Sequence, residues 1–147
     1  MTRRQVAVAA LGLITVAVVA GCRSSDSSGA DSDAAVRTAL LQGVSQIRHT
    51  HDLDELHARL TRARGRLRSA LSATADGRRA RGLALRGLTS TLRGIESELA
   101  FMRNDSGNLS GATRDAMQTV HSRTQGAKLL RAAGRVLGLR LGSLDGY

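Results

Sequence analysis

The chain has 147 residues, with 22 Lys and Arg against 12 Asp and Glu, for a formal net charge of +10 at pH 7. It contains no Pro, no Trp, one Tyr, one Phe and a single Cys. These counts exclude an intramolecular disulfide framework and a multi-cysteine metal site, and they leave almost no aromatic platform for stacking single-stranded nucleic acid.

The first element is Met1-Thr2-Arg3-Arg4, a short positive region, followed by an uncharged apolar run from Val6 to Ala20. Those 15 residues fall short of the ~20 that a helix needs to span a bilayer, but they suit the apolar region of a signal peptide. The run ends in Val19-Ala20-Gly21-Cys22, a branched apolar residue, two small residues and a cysteine. This segment resembles the lipobox of bacterial lipoproteins, over residues 1–22 only. The resemblance implies export, a diacylglycerol on the Cys22 sulfur as the sole attached group, and cleavage between Gly21 and Cys22. The mature protein is then expected outside the cytoplasm, lipid-anchored to the bacterial cell membrane. Two acyl chains meet the usual requirement for stable anchoring without help from the protein surface. Thr2-Arg3-Arg4-Gln5-Val6 also looks like a loose twin-arginine signal, and both this route and the general one stay open.

Residues 22–32 carry the lipidated cysteine and a Ser/Asp-rich stretch with no apolar periodicity, which reads as a flexible tether. Residues 33–147 form the remaining domain, and their composition predicts helices throughout. Val36, Leu40, Val44 and Ile47 share one face of a first helix, with Asp33 placed to cap its exposed amides. Leu53, Leu56, Leu60, Ala63, Leu67 and Ala70 form a second stripe, opened by a capping box of Asp52 and Glu55. Leu85, Leu88, Leu92, Ile95, Leu99 and Met102 form a third. Ala75-Asp76-Gly77-Arg78 is expected to turn between the second and third helices. The turn formers at 104–108 precede a last helix capped by Ser110 and running to about Leu141. Gly134, Gly138 and Gly142 on that helix are either a close-packing seam or a product of composition. The fold expected is an all-α, small antiparallel bundle of three to four helices. The alternative is an elongated hairpin built around one continuous helix from 53 to 103.

Removing residues 1–21 takes Arg3 and Arg4 with it and leaves 20 basic against 12 acidic side chains. Ten arginines and one acid lie between Arg59 and Arg93, so basic helix faces are expected. Arg59, Arg62, Arg66, Arg78, Arg79, Arg131 and Arg135 are candidate contacts for anionic lipid headgroups or envelope polymers. The alternative is a solvated exterior. Residues 127–141 are cationic and amphipathic, so the last helix serves either the core or a membrane interface. His49, His51, Glu55 and His57 are the candidate metal ligands, although they straddle a predicted helix start. His121 stands alone, with no carboxylate within four residues. No nucleophile motif, phosphate loop or metalloprotease helix is present, so no enzymatic activity is expected. Nucleic acid is likewise not an expected partner. These features point to an envelope interaction or structural module with an unknown protein partner. The alternative is a metal- or small-ligand-binding lipoprotein using the histidine cluster.

Overall fold

The computed structural model describes residues 33–103 and 109–144. They form α1 (Ala34–His49), α2 (Leu53–Ser69), α3 (Ala75–Arg103) and α4 (Leu109–Val136), with no strand among the described residues. The expected signal segment, Cys22 and the expected tether lie outside these residues. Connections of a few residues make successive helices antiparallel neighbours. Pairs across them show the order: Arg59 reaches Gln46, Arg81 reaches the carbonyl of Ala70, and His57 meets Glu96.

The first two apolar stripes are the buried faces of α1 and α2. Val36, Leu40, Val44 and Ile47 are buried, as are Leu56, Leu60, Ala63, Leu67 and Ala70, while Leu53 sits half-buried at the edge. Asp52 caps α2 by accepting from the Glu55 amide at 2.7 Å. The Glu55 carboxylate takes Arg59 one turn later. In the third stripe Leu88, Leu92 and Ile95 are fully enclosed, and Leu85 and Leu99 lie at the rim. Met102 departs from the expectation, being 66% exposed. It borders an open cleft beside the first turn of α2, with Leu53, Asp54 and Leu99, and is not enclosed by them.

The break between α2 and α3 also falls elsewhere than expected. It occupies residues 70–74, which rules out a continuous helix from 53 to 103, and residues 75–78 are the first turn of α3. Thr74 caps that turn, its hydroxyl oxygen accepting from the Gly77 amide at 2.8 Å. Asp33 leaves its own helix uncapped. Its carboxylate instead accepts from the Ser72 hydroxyl at 3.0 Å and from the Thr74 hydroxyl. Gly77 belongs to the same arrangement, because a β-carbon there would collide with the Asp33 carboxylate.

The longest interface joins α3 to α4, and small residues set its spacing. A β-carbon on Gly126 would strike the Thr91 hydroxyl and stand 3.0 Å from both the Thr91 nitrogen and the Gly87 carbonyl oxygen. One on Gly87 would stand 2.9 Å from Leu130 Cγ, and one on Gly94 2.9 Å from Arg123 Cγ. The backbones are close enough for Ser90 Oγ to donate to the Ser122 carbonyl at 2.8 Å.

The described part of α4 already begins at Leu109, so Ser110 lies within its first turn and is not its cap. The helix stops at Val136, short of the expected Leu141. Gly138, at φ +70°, reverses the chain, with the Leu139 amide bonded back to the Gly134 carbonyl at 2.8 Å. The tail then returns along α4, with Leu141 seated over Gly134 and Leu144 buried near Ala127. Gly134, Gly138 and Gly142 therefore share no helical seam. Apolar residues from 127 to 144 enter the core: Ala127, Leu130, Ala133, Leu137 and Leu144 are buried, with Leu139 and Leu141 packed against them.

Candidate binding surfaces

Gly21 and Cys22, the expected cleavage and lipidation positions, lie outside the described residues. No helix among those residues is long and apolar enough to cross a membrane.

The four candidate metal ligands do not converge. His57 Nε2 lies 3.1 Å from Glu96 Oε1 on α3, and Glu55 Oε1 holds Arg59 at 2.5 Å. His49 ends α1 exposed, while His51 sits in the connection beside a cleft of about 400 Å³. The helix start at Leu53 turns these side chains apart. Among the described residues, no group of three or more His, Cys, Asp and Glu is placed to hold a metal ion.

The seven candidate arginines also divide. Arg59 bridges Glu55 and Gln46, and with Arg62 and Arg66 it borders a cleft of about 220 Å³. Arg78 donates to the Ala73 carbonyl at 2.8 Å, fastening the entry to α3. Arg79 and Arg135 are exposed on different helices, and Arg131 is half-buried. They form no single surface.

Four other arginines do come together. Arg64 and Arg68 from α2 face Arg86 and Arg93 from α3 across a cleft of about 340 Å³. Leu85, Thr89 and Ser90 complete its α3 wall, and Gln125 and Leu129 close it from α4. The spacing of four on α2 and seven on α3 places each pair on one helical face. That signal was present in the sequence, but it does not say which two faces meet.

A different surface occupies the end of the molecule where α3 stops and α4 begins. Leu109 is 82% exposed, Met117 70% and Val120 66%, with Phe101 and Met102 exposed nearby on α3. His121 lies on the same stretch of α4, in a shallow depression with Ala116, Met117, Val120 and Thr124. Below it, the partly buried Arg123 of α4 pairs with Glu98 of α3.

At the opposite end stands Asp33, the first described residue and almost completely enclosed. The Thr74 hydroxyl holds its carboxyl below the ordinary carboxylate range, assisted by Ser72 and by backbone bonds from Thr74 and Ala73. Burial works in the other direction but does not prevail. The helix rise of about 1.5 Å per residue separates Gly77, beside Asp33, from Arg103 by roughly 39 Å along α3.

Comparison with family models, with curated proteins and with solved structures finds no match to this chain.

Proposed function

We propose that the protein is an envelope lipoprotein, anchored through a diacylglycerol on Cys22, whose helical domain works as an interaction module at the membrane surface. The observation that supports this reading is the placement of Asp33 and the apolar patch at opposite ends of the bundle. A chain tethered ahead of Asp33 presents Leu109, Met117 and Val120 at its far end. Phe101, Met102, Leu109, Met117 and Val120 are five of the seven exposed large apolar side chains among the described residues, Leu41 and Leu71 lying elsewhere, and such a gathering marks a surface that contacts other molecules.

The test uses wild type and Cys22→Ser in a bacterium able to process lipoproteins. Intact mass should show the wild type starting at Cys22 with its acyl chains, and fractionation should show its membrane association weakened in the variant. A photo-crosslinker at position 117 should then give a discrete adduct in intact cells that one at the exposed position 45 does not. An unlipidated wild type removes the anchor from the proposal, and identical crosslinking at both positions removes the presenting end.

A further inference from the structure

We propose that the cleft between α2, α3 and α4 binds a phosphate-bearing ligand carrying at least two negative charges. This site lies beyond the apolar patch and does not depend on it. Arg64, Arg68, Arg86 and Arg93 place four guanidinium groups around one opening, and no Asp or Glu lines it. None of the four has an ion pair or hydrogen bond among the described residues. Elsewhere in the bundle Arg59, Arg103 and Arg123 each have a carboxylate partner. Like charges gathered without an acid repel, and an anion held among them relieves that cost.

The neighbouring groups define the ligand further. Thr89 Oγ1 donates to the Leu85 carbonyl and Ser90 Oγ donates to the Ser122 carbonyl, so both hydroxyl protons are committed. The donors left for a ligand are the guanidinium forks and the Gln125 amide. Arginine forks match the paired oxygens of phosphate, and four of them exceed what one carboxylate can neutralise. Leu85 and Leu129 border the cleft and lower the local polarity, which strengthens pairing there. No aromatic side chain lines it, so it offers no stacking surface for a nucleobase. The chemistry fits a diphosphate or phosphate ester, either free in solution or presented as a phospholipid headgroup.

The experiment is calorimetric titration of the full chain in neutral detergent micelles with inorganic pyrophosphate. Saturable binding is expected in the wild type. Arg64→Gln/Arg68→Gln and Arg86→Gln/Arg93→Gln should each weaken it by about tenfold or more. Arg62→Gln/Arg66→Gln removes the same charge from α2 outside the cleft and should weaken it by less than about threefold. Circular dichroism verifies that each variant is folded. Arg86→Lys/Arg93→Lys keeps the charge but loses the fork, so it too should weaken binding. Doping the micelles with phosphatidic acid, whose headgroup is a phosphate monoester, against phosphatidylcholine as control, separates the sources. Competition by phosphatidic acid and not by phosphatidylcholine identifies a headgroup site, whereas unchanged pyrophosphate affinity identifies a soluble phosphate site. Absence of pyrophosphate binding, or an equal loss in the Arg62/Arg66 control, overturns the proposal.

Discussion

Replacing Gly126 by Ala should destabilise the protein even though alanine is the better helix former. In an open helical position the exchange stabilises by about 1 kcal/mol. At Gly126 the new carbon would meet the Thr91 hydroxyl, and two of its three nearest neighbours are backbone atoms, the Thr91 nitrogen and the Gly87 oxygen at 3.0 Å. A side chain can rotate away from such a contact, but the α3 backbone cannot, so α3 and α4 must separate. Overpacking of this kind costs about 1–3 kcal/mol, which matches or exceeds the whole propensity gain. Gly82 is the internal reference, since it lies in α3 with nothing within 4 Å of the position a β-carbon would take. Gly82→Ala should therefore stabilise by about 1 kcal/mol while Gly126→Ala destabilises, the difference being the overpacking cost itself, about 1–3 kcal/mol. Urea denaturation followed by circular dichroism reads this as midpoints displaced to opposite sides of the wild type. If Gly126→Ala melts at or above Gly82→Ala, the close α3–α4 approach is not a constraint on stability.

Three further substitutions probe other parts of the fold. Ile95→Ala should cost about 2–5 kcal/mol in denaturant melts, whereas Met102→Ala on the same sequence stripe should stay within about 0.5 kcal/mol. Gly138→Ala should cost about 1–2 kcal/mol by the same measurement, because its φ of +70° disfavours a β-carbon. Asp33 has a pKa lowered by folding, so its contribution is present above the unfolded value of about 3.9 and is lost as pH falls through the lower folded value. Urea midpoints should place wild type above Asp33→Asn at neutral pH, with the gap closing as the pH is taken below 4; a gap that widens on acidification would contradict the assignment.

Periodicity made α1, α2 and the middle of α3 legible because Leu, Val and Ile at spacings of three and four bury one face whatever the partner. The Asp52 cap was legible for a similar reason, since its bond is made within four residues. Asp33 and Gly77 were misread because their roles are set by each other across more than forty positions. A glycine after a polar residue suggests a helix end, yet here it makes room for a carboxylate at a helix beginning. The α3–α4 seam was hidden because a reading weighted toward large apolar residues passes over Gly87, Thr91, Gly94 and Gly126. The arginine cleft was only half visible: pairs on one helix follow from spacing, but the facing of α2 and α3 around α4 is a tertiary fact. Met102 shows the converse, an apolar residue in phase with a core that ends before reaching it.

The Asp33 carboxylate also determines how the domain would bear a pull from its N-terminal side. A load entering at Asp33 reaches the Ser72 and Thr74 hydroxyls before it can peel the first turn of α1 from the bundle. The strain divides between α1 and the segment that starts α3, and two helices must yield together. Protonating that one carboxylate would weaken the clasp and leave α1 to unwind from its end alone.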